Sequence, residues 1–197
     1  IVKSRIFWLL ILMIGSTLSQ LIIQSLNQIL ENKLDQLKIA GATISSVLVA
    51  LIPVTSATSG NAGSQSTSTL TRAASLGELK KDRMKEVIIK ETTVGLVLGL
   101  ILAIANFIRL LIYYMAYNGI LFKETKFLIL ISIVSSISLL ISIILSKLLG
   151  SVILTIALKT KRDPAVMSAP LITTIIDALS TLIFFGLAFA ILIPIFL

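Results

Sequence analysis

Asp177 is the residue whose setting most demands an explanation. It is the one acidic residue read as lying well inside an apolar stretch of this chain. A carboxylate at the centre of a membrane-spanning helix costs about 2.5–3.5 kcal/mol on insertion scales, so it marks a functional site by default. Pro170, Thr173, Thr174, Asp177, Ser180 and Thr181 recur at helical spacing and form one polar stripe. Thr173 stands one turn before Asp177, where its carbonyl and hydroxyl can point to the same space as the carboxylate. The alternative is a hydrogen-bonding role between helices. Asp163, as Asp163-Pro164, opens the same segment. Asp at the N-cap with Pro at the first helical position is an ordinary helix start, and a cation-binding role is the rival reading.

A second segment carries unusual polarity. After Pro53, residues 55–72 read TSATSGNAGSQSTSTLTR, polar on every face. At membrane depth such backbone survives only when buried in protein or lining water. Pro53 has no N–H, so the carbonyl of Val49 loses its helical donor and is left for water or an ion. The competing reading is a Ser/Thr-rich cytoplasmic loop after a shorter helix.

The rest of the composition says what surrounds these residues. Of 197 residues 56 % are hydrophobic and 13 % charged, against roughly 45–50 % and about 25 % in soluble domains. Several stretches are apolar all round for at least the ~18 residues that a membrane span needs. Five spans follow: about 6–30, 39–72, 92–117, 127–158 and 165–197. With neither Cys nor His, thiol chemistry, imidazole bases and the usual zinc sets are excluded, and any metal must rest on oxygen. One membrane carboxylate is too few for an intramembrane aspartyl protease, so no enzymatic activity is expected. The chain begins at Ile1 and enters a span without a cleavable signal pattern, as expected of a segment of a longer protein.

The net charge of +8 falls in the links between spans, which argues for membrane topology and against nucleic acid. Arg72, Lys80, Lys81, Arg83, Lys85 and Lys90 lie between the second and third spans. Lys159, Lys161 and Arg162 precede the fifth, and Lys3 and Arg5 precede the first. The other links hold Lys33 with Lys38, and Lys123 with Lys126. The basic side is expected to be cytoplasmic, with the N-terminus inside and the C-terminus outside. Arg109 reads as a snorkelling cation and Lys147 as a structural one near the inner interface. Gly95 and Gly99 form a small-xxx-small pair suited to helix packing.

The motifs taken in order resemble the transmembrane domain of the MgtE family of magnesium transporters. Arg5-Ile-Phe-Trp8 is similar to the Arg/Trp entrance of their first span. Ser59-Gly-Asn-Ala-Gly63 with Gln65 and Arg72 resembles the GGNAG-x-Q…R pattern of their second. Lys90-Glu91-Thr-Thr-Val-Gly95 is similar to the start of their third. Asp163-Pro-Ala165, Pro170, Thr173-Thr174 and Asp177 resemble DPA…P…TT…D. Ser59 stands where the family usually has Gly, and Leu154 where a Pro is common.

The resemblance implies an all-α integral membrane homodimer, five helices per protomer, with a cation pore lined by the second and fifth helices. It implies Asp177 of both chains facing the pore, the Thr173 backbone oxygen nearby, and Asp163 in Mg²⁺ binding at the cytoplasmic end. Family members also carry a cytosolic N-terminal domain and paired CBS domains, which these residues do not include. Residues 1–197 are then the ion-conducting domain, with Mg²⁺ as transported ion and no cofactor. Mg²⁺ dehydrates reluctantly, so a carboxylate with carbonyls and hydroxyls for its water shell suits it. A proton-coupled secondary transporter with Asp177 as relay is the rival function.

Overall fold

A computed structural model describes residues 2–36, 41–79, 83–116, 125–160 and 169–196, and all of the secondary structure among them is helical. Five long helices follow one another: α1 (Val2–Gln36), α2 (Gly41–Ser75), α3 (Met84–Ala116), α4 (Thr125–Lys159) and α5 (Ala169–Phe196). Each is long and apolar enough to cross a membrane. At about 1.5 Å rise per residue, the shortest still exceeds the ~30 Å of a hydrocarbon core. The chain is therefore a multi-pass membrane protein.

Half of the α4 span is buried inside the bundle, against 6 % of α1, which places α4 at the centre and α1 at the edge. α4 packs on α2, α3 and α5, while α1 lies against α5 and α2. The main apolar core takes Leu30 and Leu34 from the end of α1, and Leu48 and Leu51 from the start of α2. It continues with Leu110 of α3, Ile131 of α4, and Phe184 and Phe185 of α5. Odd-numbered helices thus contribute their C-terminal halves and even-numbered ones their N-terminal halves, as helices of alternating direction must.

The opposite half of the bundle is held by small and hydroxylated residues. A Cβ on Gly63 of α2 would lie 2.9 Å from the carbonyl oxygen of Ser146, and one on Gly150 of α4 would lie 2.8 Å from the Gly63 carbonyl oxygen. Only glycine allows these backbones so close. Ser146 donates to the Ser59 carbonyl, and Thr67 reaches the Gly150 carbonyl at 3.4 Å. Gly95 and Gly99 of α3 meet Lys147 and Leu140 of α4 in the same way, at 3.2 and 2.8 Å from a Cβ that neither carries.

The Ser/Thr-rich stretch is not a loop: α2 continues unbroken through Pro53 to Ser75. It stops at Gly77, whose φ of 72° ends the helix with Glu78 N–H on the Ala73 carbonyl and Gly77 N–H on the Ala74 carbonyl.

The structure corrects two further expectations. The third helix begins at Met84, not at Thr92, so Glu91 lies two turns inside it. Asp177 is therefore not alone. Glu91 and Lys147 form an ion pair at 3.2 Å, with side chains 14 % and 7 % exposed.

Candidate functional site

Asp177 sits in the first half of α5 and shares its surroundings with Ser56, close to the midpoint of α2. The carboxylate is thus carried near the middle of the bundle rather than at a helix end. Beside it lies a cavity of about 490 Å³, open on one side and walled by α1, α2 and α5. Asp177 and Thr181 line it from α5, and Val49, Ile52, Pro53 and Ser56 from α2. Val49 is the residue whose carbonyl Pro53 leaves without a donor, so its carbonyl oxygen belongs to the same neighbourhood as the carboxylate.

The Asp177 backbone is itself fixed. Its carbonyl accepts from Thr181 at 2.7 Å and from Ser180 at 3.3 Å, the pattern by which Ser and Thr satisfy themselves within an apolar helix. No Lys or Arg pairs with the carboxylate among the described residues. Nor do these residues contain a group of three or more His, Asp or Glu. A cation held here would therefore rest on one carboxylate per chain and on neutral oxygens, a donor set suited to a hard ion that keeps its water.

The polar stripe of α5 does not act as one surface. Thr173 donates its hydroxyl to the Pro170 carbonyl at 2.9 Å, and its methyl group packs against Gly60 of α2. It does not line the cavity with Asp177. Thr174 also donates to Pro170 and packs against Gly15 of α1. These two threonines bring α5 close to its neighbours, and Asp177 and Thr181 are the stripe members that line the cavity. Asp163 lies outside the described residues.

The α1 wall was missed in the sequence. Ser16, Ser19, Gln20 and Gln24 line the cavity from that helix. Their spacing of three and four residues is the signal that could have found them, but single polar residues in a long apolar run attract little notice. A second cluster also went unread: Asn106 of α3 donates to Ser135 and Ser136 of α4, and accepts from Arg109 at 2.9 and 3.2 Å. The snorkelling Arg109 is thus tethered at its guanidinium.

Comparison with known proteins places these features in a family. Residues 52–187 match the MgtE family of divalent cation transporters. The magnesium transporter MgtE of Bacillus subtilis is 32 % identical over 73 % of this chain. That of Thermus thermophilus is 28 % identical over 94 % of it. That of Enterococcus faecalis is 30 % identical over 73 %. The chain spans 29–36 % of the length of these relatives. With a five-helix fold, a membrane carboxylate and a family match across more than half its residues, this chain belongs to the MgtE family of divalent cation transporters.

Proposed function

We propose that residues 1–197 form the ion-conducting domain of a divalent cation transporter, with Mg²⁺ as its first substrate. The single observation that carries this reading is Asp177: a carboxylate at mid-bundle depth, beside an open cavity, with no fixed countercharge among the described residues. A mobile cation supplies what the fold leaves out. The relatives' names as magnesium transporters select Mg²⁺ among the hard ions.

The domain works as a homodimer whose pore runs between the α2 and α5 helices of both protomers. Asn61, Gln65, Ser68 and Arg72 leave one exposed polar face along α2, which lipid would not tolerate. A two-fold partner and the water between the protomers would cover it. Two copies of Asp177 then offer two negative charges to one ion. The Thr173 carbonyl, one turn from Asp177 and outside the cavity lining, serves along the pore between the protomers, and Asp163 serves at the cytoplasmic mouth. The basic links keep the N-terminus inside and the C-terminus outside.

Purified protein in liposomes tests this. It should take up Mg²⁺ whether or not a pH gradient is imposed and run as a dimer in native mass analysis, and in intact cells an external label should not react at position 81. Asp177→Asn keeps shape and hydrogen bonding but removes one charge per protomer. Its uptake should fall by about a hundredfold, the scale expected when an ion loses a buried partner worth about 2–5 kcal/mol. Wild-type Mg²⁺ flux in that variant would place the ion elsewhere. Uptake that requires a proton gradient would turn Asp177 into a proton relay.

A further inference from the structure

We propose that α1 is the third wall of the Asp177 site, and that Gln20 and Gln24, with Ser16 and Ser19, hold the water shell of the hydrated divalent cation. This rests on the reading of Asp177 as the cation site and extends it to a helix that the sequence motifs do not implicate. Four polar side chains of α1 face one cavity that also holds the carboxylate. Gln20 and Gln24 are exposed to it one turn apart. Ser19 is only 7 % exposed, yet its hydroxyl oxygen is buried without a hydrogen-bond partner. An unpartnered buried hydroxyl on a residue that lines a cavity calls for a ligand or water to satisfy it.

The wall is held in place. A Cβ on Gly15 would lie 2.7 Å from the Thr174 methyl carbon, so α1 is seated directly on α5, one residue before Ser16. The cavity of about 490 Å³ also suits the ligand. Six waters occupy roughly 180 Å³ at about 30 Å³ each, so the ion fits with its inner shell intact. Water bound to Mg²⁺ turns its oxygen to the metal and its hydrogens outward. The surroundings must then accept hydrogen bonds, and glutamine carbonyls, serine oxygens, the Val49 carbonyl and the carboxylate all do.

Hexaamminecobalt(III) is the probe, because it has the size and outward-pointing hydrogens of hydrated Mg²⁺ and cannot exchange its ligands. In liposomes, the double variant Gln20→Leu, Gln24→Leu should raise the Mg²⁺ concentration for half-maximal uptake about tenfold and weaken cobalt block by a similar factor. That is the scale of two modest hydrogen bonds lost. The variant Gln20→Glu, Gln24→Glu adds acceptors and charge, and should tighten block. It decides the matter if the leucine variant does not assemble. Unchanged half-saturation and block in the leucine variant, or unchanged or weaker block in the glutamate one, overturns the α1 proposal. If Asp177→Asn loses flux in the same assay, the Asp177 site stands without α1. If Asp177→Asn transports normally, the site itself is elsewhere.

Discussion

Glu91 and Asp177 are both carboxylates carried inside membrane-spanning helices, and the bundle treats them in opposite ways. Glu91 has a fixed cation, Lys147 at 3.2 Å, and accepts a hydrogen bond from Ser66, so three helices close around a neutral set. Asp177 has Ser56 nearby, an open cavity, and no ion-pair partner among the described residues. Desolvating a charge is costly wherever it occurs, and the two sites meet that cost differently. The Glu91 charge is balanced by the fold. The Asp177 charge is left to be balanced by whatever enters. Position inside a membrane helix therefore does not by itself mark an ion site; the lack of a built-in countercharge is what singles out Asp177 for the proposed cation role.

The largest effect is expected when Glu91 is stripped of its partner. Lys147→Met should strand a buried carboxylate and cost about 3–5 kcal/mol of stability, visible as a large drop in thermal unfolding midpoint. Adding Glu91→Gln in the same chain removes the charge and keeps an acceptor for Ser66. Most of the loss should then return, with Mg²⁺ flux near wild type. A double variant no more stable than Lys147→Met would mean that packing around the Lys147 stem, rather than its charge, does the holding.

Asp177 can be made to resemble Glu91. Ser56→Lys puts a tethered ammonium beside the carboxylate, where it competes with any mobile cation. Mg²⁺ uptake should drop by about a hundredfold, about 2.7 kcal/mol, with little change in unfolding temperature because the new charge is paired and the cavity has room. Normal uptake in Ser56→Lys would separate the cavity from the conduction path.

Sequence reading reached these two carboxylates unequally, for a physical reason. Asp177 stands between apolar turns on both sides, so its burial was legible from hydropathy alone. Glu91 is preceded by Lys85, Glu86 and Lys90, which resemble a loop. The helix nonetheless starts at Met84, because helices extend beyond the apolar stretch that defines a span. The five spans were legible because length and apolarity suffice to define them. The helical course of residues 55–72 needed the structure, since Ser, Thr and Gly are weak helix formers that the tight α2–α4 contact at Gly63 and Gly150 holds in place. The α1 wall was illegible for a different reason. Which face of an edge helix turns inward is decided by tertiary packing, here the seat of Gly15 on Thr174.

The smallest effect is expected where polarity is buried but no charge would be stranded. Asn106 is 5 % exposed and links Arg109 to Ser135 and Ser136 across the α3–α4 contact. Asn106→Leu removes these bonds and replaces a polar side chain with an apolar one of similar length. The two serines can turn their hydroxyls to their own helix carbonyls, as Ser132 does to Leu128 at 2.8 Å. Arg109 is exposed and can reach the interface on its long stem. Nothing buried keeps an uncompensated charge. The cost should be about 0.6 kcal/mol, the average for polar contacts between membrane helices, with Mg²⁺ uptake unchanged. The Lys147→Met loss should be several times larger, although both positions are buried polar residues on the same helix contact. If Asn106→Leu destabilised the bundle as much as Lys147→Met, charge would not be what distinguishes the two positions.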